Sequence, residues 1–167
     1  MKELKNLNDL FIHEVQGLYN TEKYQIMGLE RMINNTNSPE LKSALQQHLN
    51  ETKIQKDRLE QVGEIMNFDP NDEGSFSIKG MLVESEKVMH KDATPETMDA
   101  AILAGAQKVE HLEISCYGTA AWLAEELGYR EAKELLSMSL AEEKKTDQLL
   151  NDLAKTIINK RAQHAQV

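Results

Sequence analysis

The sequence predicts an all-α protein in which four long helices and one short helix form a four-helix bundle. Composition is the first reason: only 5% of the residues are aromatic and only three are proline, so strand and turn residues are scarce. The second reason is a series of helix caps, and the third is the helical spacing of the apolar residues. A pure coiled coil is the structural alternative, but no sustained heptad with flanking charges is present.

Cap residues and polar stretches set the predicted helix boundaries in order. The first helix spans residues 6–34, and the second spans 39–66, with Ser38 as N-cap and Pro39 at its first position. After a loop at 67–75, a short helix follows at 77–90. Thr94 and Pro95 repeat the cap and start a helix that lasts to residue 127, and Gly128 is the glycine that ends it. The last predicted helix spans 129–160.

These elements predict a single domain over residues 1–160, followed by a frayed tail at 161–167. The net charge of −9 argues against a nucleic-acid partner, which would require a basic surface. Cys116 is the only cysteine, so neither a disulfide framework nor a cysteine-rich zinc site can form within one chain. The chain shows no signal-peptide pattern and no run of ~18 apolar residues. We therefore expect a cytoplasmic protein with no membrane partner.

Carboxylates fall within the apolar arc of each long helix. On a helical wheel of 100° per residue, Glu22 and Glu143 lie at the centres of their arcs, and Glu113 lies near the centre of its own. Glu110 lies about 60° to one side of that arc, and Glu51 lies about 50° from the middle of a less regular arc. A single glutamate on a helix is most often solvated. Here, however, the four helices each place a glutamate near their midpoints, which predicts one common depth in the bundle.

A buried carboxylate must become protonated, pair with a base or bind a cation, because an isolated charge in an apolar interior costs many kcal/mol. Arg58 is the only basic residue predicted near these arcs, so pairing is poorly supported. A shared cation is the simplest explanation, and a carboxylate-rich site favours iron or manganese, with magnesium or calcium less specifically indicated. The predicted metal ligands are Glu22, Glu51, Glu110, Glu113 and Glu143.

Four further residues lie near these carboxylates. His48 and Asp147 are candidates for additional ligands or for groups that support the ligands. Tyr19 and Tyr117 could supply a hydrogen bond or an oxidisable group, although a core aromatic ring with a satisfied hydroxyl is the preferred interpretation. His111 lies between Glu110 and Glu113 in sequence, but the wheel turns it to the polar face, so we predict a surface histidine.

Di-iron helical bundles usually carry a Glu-x-x-His motif on two helices. Here Glu51 is followed three residues later by Ile54. Glu143 is followed three residues later by Thr146. Both histidines of the usual pattern are therefore absent, which speaks against an oxygen-activating centre.

The stretches "LYNTEKYQ", "HLNETKIQ", "AAILAGAQKVEHLEISCYGTAAWLAEELGYREAKELL" and "AEEKKTDQLL" resemble the YciF-like proteins, a bacterial ferritin-like family associated with stress responses. The resemblance implies a rubrerythrin-like bundle with an additional short helix, a homodimer and a dinuclear metal site. Glu110 and Glu113 are similar to the Glu-x-x-Glu pair that rubrerythrins carry on one helix.

Three functional hypotheses follow. In the first, two iron or manganese ions per chain are bridged by Glu51 and Glu143, and the centre reduces a small oxidant such as oxygen or peroxide, or oxidises ferrous iron. In the second, the protein is a non-catalytic binding or assembly module of the stress response, and the cation is structural or absent. In the third, it is a helical interaction protein without metal. Trp122, on the polar side of its helix, indicates a dimer contact or cover by another element.

Overall fold

The structure is a computed structural model that describes residues 3–71 and 77–165, and within them the regular secondary structure is entirely helical. The all-α prediction is confirmed. Of the predicted loop at 67–75, residues 72–75 lie outside the described residues. The elements in chain order are α1 (Leu7–Asn35), α2 (Pro39–Met66), α3 (Ser77–Met89), α4 (Pro95–Glu126), α5 (Arg130–Leu153), a π-helical segment (Ala154–Ile158) and α6 (Asn159–Gln163).

The predicted caps Ser38 and Thr94 begin α2 and α4, and Asn6 caps α1 in the same way. The side chains of Asn6, Ser38 and Thr94 each accept a hydrogen bond from the backbone amide three residues later, at 2.9, 3.4 and 3.3 Å. Each bond satisfies an amide that the first helical turn leaves unpaired. Gly128 ends α4 with a φ of +75°, a conformation that residues with a Cβ rarely adopt, so the chain turns there into α5.

The four long helices pack side by side, and each of them contacts two of the others. α1 packs against α2 and α4, and α5 packs against the same two helices, while α3 lies against α4 and α1. No helix in the described ranges is both long and apolar enough to cross a lipid bilayer. The interior contains two apolar clusters, one including Phe11, Leu59, Tyr117 and Leu136, the other including Leu29, Leu45, Ile102 and Leu150.

The C-terminal helix is longer than predicted. Instead of ending at Lys160, it continues through the π-helical segment and α6 to Gln163. Arg161 donates two hydrogen bonds to the Glu40 carboxylate, at 3.0 and 3.1 Å, and so ties this end to the start of α2. The predicted end was three residues short because the contact joins residues 121 positions apart, which local patterns do not report.

Asp99 on α4 holds the turn between α1 and α2. Its carboxylate is 5% exposed and accepts hydrogen bonds from the backbone amides of Asn37 and Ser38, at 2.7 and 2.8 Å. Hydrogen bonds to a buried charged acceptor are stronger than neutral ones, and their loss leaves two amides without a partner. Asp99 therefore links the start of α2 to α4.

Replacing Asp99 by alanine is expected to lower the free energy of unfolding by about 3 kcal/mol, because two charge-assisted hydrogen bonds are lost at a buried position. Urea denaturation measures the change. Asp57→Ala is the control, since that exposed carboxylate makes a surface ion pair with Lys56 Nζ at 3.4 Å. Its loss should change the free energy of unfolding by less than about 0.5 kcal/mol. Equal effects of the two substitutions would contradict the role given to Asp99.

Candidate metal centre

A polar layer lies between the two apolar clusters. Along α1, Glu22 falls between Tyr19 of one cluster and Leu29 of the other, and along α5, Glu143 falls between Leu136 and Leu150. All four long helices contribute to the layer. Its ionisable members, each at most 2% exposed, are Glu22, His48, Glu110, Glu113 and Glu143.

Four of these side chains converge on a volume the size of one cation. His48, Glu110, Glu113 and Glu143 each offer one ligand atom, and these atoms all lie within 4.8 Å of one another. Donor atoms that bind one cation at about 2.0–2.4 Å are at most about 4 to 5 Å apart. The group therefore has the size that a single metal ion requires.

The polar atoms of this layer are unpaired within the described part of the chain. Both oxygens of Glu110, Glu113 and Glu143, and both ring nitrogens of His48, are buried without a well-aligned hydrogen-bond partner, although the Glu110 and Glu143 carboxyl groups are close enough for each to affect the pKa of the other. His48 Nε2 lies 3.0 Å from Glu110 Oε1, but the two groups are not aligned as a hydrogen bond. Buried polar atoms of this kind are rare and unfavourable in native proteins. A bound cation would satisfy them together.

Burial is the largest cause of the unusual pKa values of these carboxyl groups, and repulsion between them adds to it. The pKa of Glu22 is raised to about 8, with Glu143 as the main repelling charge. The pKa of Glu110 is also raised to about 8. Those of Glu113 and Glu143 are raised well above the usual range. A cation at this position would reverse the effect, because it stabilises the ionised ligands and releases their protons.

Glu22 lies next to the four-donor group and is held by Tyr117. The Tyr117 hydroxyl is fully buried and donates a short hydrogen bond to Glu22 Oε1, while Oε2 has no partner among the described residues. Burial and the nearby Glu22 charge raise the pKa of Tyr117 well above its usual value, so it stays a donor. The hydrogen bond in turn lowers the pKa of Glu22 and partly offsets the effect of burial.

Replacing Tyr117 by phenylalanine is expected to lower the free energy of unfolding by about 1 to 3 kcal/mol, because Glu22 loses its buried donor. Urea denaturation of chelator-treated protein measures it. Tyr19→Phe is the matched control: its hydroxyl donates to Glu60 at 2.8 Å, but the Glu60 side chain is 44% exposed, so water can replace the bond. A Tyr117→Phe variant as stable as Tyr19→Phe would contradict the prediction.

Glu51 lies outside the four-donor group. Its half-buried carboxylate accepts hydrogen bonds from Gln47 at 2.9 Å and from Thr146 at 3.4 Å. Tyr19 faces Glu60 at the side of the bundle rather than the polar layer. The structure thus brings together three of the five predicted ligands and adds His48, which the sequence suggested only as an additional ligand.

Arg58 does not neutralise the buried carboxylates. It donates to Glu142 Oε1 at 2.8 Å, and Gln55 donates to the other oxygen of the same carboxylate at 3.1 Å. The one base predicted near the arcs is therefore already paired. Gln25, which the sequence analysis did not single out, is fully buried, and neither of its amide atoms has a hydrogen-bond partner among the described residues. Its position three residues after Glu22 was the signal that could have identified it.

Fold and site together define an all-α protein with a buried histidine and carboxylate cluster that could hold a metal ion. The chain belongs to the family described as "Domain of unknown function (DUF892)", whose model matches residues 6–163. It is 40% identical to protein YciF of Escherichia coli (strain K12) over 162 residues, which cover 96% of this chain and 98% of that protein. The resemblance to YciF-like proteins is confirmed.

Solved structures of similar chains share the fold. The crystal structure of the E. coli stress protein YciF matches with a TM-score of 0.89 at 40% identity, covering 94% of this chain and 99% of that one. YcfI from Rhodopseudomonas palustris, provisionally described as a structural protein, matches at 0.87 and 34%, covering 90% and 96%. A protein from Xanthomonas campestris pv. campestris matches at 0.76 and 19%, covering 97% and 100%, which is a likeness of fold alone.

Proposed function

We propose that the protein is a ferritin-like four-helix bundle of the bacterial stress response whose polar layer binds a dinuclear iron or manganese centre. The side-by-side packing of α1, α2, α4 and α5, with α3 as the additional short helix, supports the bundle. The stress role is proposed because a relative of 40% identity is described as a stress protein. A single domain, a homodimer and a cytoplasmic location remain predictions.

The observation that carries the proposal is the four-donor group. Three carboxylates and one imidazole meet within 4.8 Å, all buried, at a depth where an unpaired charge is strongly unfavourable. A mixed oxygen and nitrogen donor set suits iron or manganese. In our proposal, one ion is held by His48, Glu110, Glu113 and Glu143.

A second ion would lie on the side of Glu22. Besides burial, electrostatic repulsion links the raised pKa of Glu22 to both Glu113 and Glu143, which supports a shared position for a second ion. Each of the last two has two unpartnered oxygens, so each could give one to either ion, as bridging carboxylates do. Glu22 would bind with Oε2, while Tyr117 holds its other oxygen.

When iron is bound, such a centre supplies electrons for the reduction of oxygen or peroxide, which is ferroxidase or peroxidase-like chemistry. The protein contributes the surroundings. The apolar clusters on both sides of the polar layer exclude water, and Tyr117 keeps its proton and orients Glu22. The carboxyl groups release protons as the cation binds.

A structural cation is the second candidate function. The absence of the Glu-x-x-His motif favours it, as does the provisional description of the R. palustris relative as a structural protein. The protein would then bind metal and gain stability without consuming oxygen or peroxide.

Elemental analysis tests the proposal. Protein freed of metal with chelator, then incubated with ferrous or manganous ions without oxygen and desalted, should retain about two ions per chain. The Glu113→Gln/Glu143→Gln double variant should retain none, whereas Glu134→Gln, an exposed control on α5, should match the wild type. Wild type without retained metal would refute the proposal. Retained metal without oxygen or peroxide consumption would establish the structural function.

A further inference from the structure

The polar layer reaches the surface at the contact between α4 and α5. Asp147 follows Glu143 by four residues on α5, so the two carboxylates lie on the same side of that helix. The Asp147 side chain is 17% exposed, yet its Oδ1 is buried without a hydrogen-bond partner in the described part of the chain. Asp147 therefore stands at the boundary between the buried layer and solvent.

His111 faces this carboxylate from α4. Its side chain is 67% exposed, and its Nε2 lies 3.5 Å from Asp147 Oδ1. His111 is also the chain neighbour of Glu110, which is fully buried with both oxygens unpartnered. Asp147 lies one helical turn from Glu143, whose ligand atom is within 4.8 Å of that of Glu110.

We propose that His111 and Asp147 form an outer binding site for a divalent cation, from which the cation passes to Glu110 and into the buried centre. The inference rests on the proposed function, because it supplies the route by which that centre is loaded. Along the route the exposed fraction of the donor side chain falls from 67% at His111 to 17% at Asp147 and to zero at Glu110. Oxygen and nitrogen donors suit the same first-row metals at each step.

The electrostatics of this region favour such a route. Besides burial, the charges of Asp147 on α5 and Glu51 on α2 are among the causes that raise the pKa of Glu110, so negative charge from two helices acts on this end of the layer. Fields of this kind raise the local concentration of cations and their association rates by 10-fold to 1,000-fold. A simple surface ion pair between His111 and Asp147 would contribute little stability. At 3.5 Å, such a pair would also leave the buried Asp147 Oδ1 without a hydrogen-bond partner in the described part of the chain.

Stopped-flow loading with cobalt(II) chloride tests the route, since the visible absorbance of the ion reports its transfer from water to protein ligands. The His111→Gln and Asp147→Asn variants should load about tenfold more slowly than wild type. Their final cobalt content per chain, measured after desalting, should be unchanged. His13→Gln, an exposed histidine on α1, and Glu126→Gln, an exposed glutamate on α4, are the controls and should load at the wild-type rate.

Loading of both variants at the wild-type rate would overturn the route while leaving the buried centre intact. A lower final cobalt content in Asp147→Asn would also overturn it, because Asp147 would then be a ligand of the centre itself. Wild type that takes up no cobalt, iron or manganese would remove the proposed function and the route together. Because His111 is exposed, His111→Gln should fold normally and gives a result even if Asp147→Asn does not fold.

Discussion

Metal-free protein is expected to lose about 5 kcal/mol of its free energy of unfolding between pH 5 and pH 7. The cause is the raised pKa values of the buried carboxyl groups: burial raises those of Glu22 and Glu110 to about 8. In the folded chain these two groups stay mostly protonated at pH 7, whereas in the unfolded chain they ionise near the ordinary value of 4.5. The folded state therefore binds more protons over this range, and its stability must fall as the pH rises.

The size of the effect follows from linkage. A carboxyl group that stays protonated only in the folded state lowers the free energy of unfolding by ~1.4 kcal/mol per pH unit once the unfolded form is ionised. Between pH 5 and 7 this gives about 2.5 kcal/mol per group, or about 5 kcal/mol for two. Typical domains have only about 5 to 15 kcal/mol in total. At neutral pH, cation binding is therefore expected to contribute a large part of the free energy of unfolding.

Urea denaturation in the presence of chelator, at pH 5, 6 and 7, measures this dependence. Saturating manganese should restore the stability at pH 7, because ligand that binds only the folded state stabilises it. The Glu134→Gln control, altered at an exposed position of α5, should show the wild-type slope. A free energy of unfolding that is constant or rises from pH 5 to pH 7 without metal would contradict the burial of these carboxyl groups.

Replacing Glu143 by glutamine is expected to affect metal affinity and stability in opposite directions. Glutamine keeps the shape of the protonated acid but supplies no negative oxygen, so manganese affinity at pH 7 should fall at least about 100-fold. The metal-free variant should instead be more stable than wild type at pH 7. That gain arises because glutamine has no carboxyl group whose ionised form is disfavoured by burial and by repulsion from Glu110, which together raise the pKa of Glu143.

Isothermal titration with manganous chloride and urea denaturation with chelator measure the two effects on the same preparation. Glu51→Gln is an informative comparison, since the Glu51 carboxylate is half-buried and already accepts two hydrogen bonds. It should leave the metal-free stability within about 1 kcal/mol of wild type. A Glu143→Gln variant that is destabilised without metal would show that Glu143 is ionised and paired in the folded protein.

The all-α class and most helix boundaries could be predicted because their determinants are local. Asn6, Ser38, Thr94 and Gly128 act within one helical turn, and the start of α2 at Pro39 was predicted to the residue. The C-terminal end could not be predicted, since Arg161 stabilises it through Glu40, far away in the sequence. The anchoring of the α1–α2 turn by Asp99 could not be predicted either, because Asp99 lies 62 positions from Asn37 in the sequence.

The helical wheel correctly predicted the burial of those site residues that lie near the centre of the apolar arc of their own helix. Glu22, Glu113 and Glu143, at the centres of their arcs, are all fully buried, and His111 is exposed as predicted. Glu51 shows the limit of the method. A helical wheel gives the direction of a side chain to within tens of degrees, but contacts with a neighbouring helix decide where its carboxylate lies. The Glu51 carboxylate accepts a hydrogen bond from Thr146 of α5 and lies outside the four-donor group.

Anomalous diffraction from crystals soaked in manganous chloride tests the existence of the buried centre most directly. Data collected on either side of the manganese absorption edge should show an anomalous peak within about 2.5 Å of ligand atoms of His48, Glu110, Glu113 and Glu143. A second peak is expected beside Glu22. Fully loaded crystals with manganese only at surface carboxylates, and none in the polar layer, would contradict the proposal of a buried metal centre.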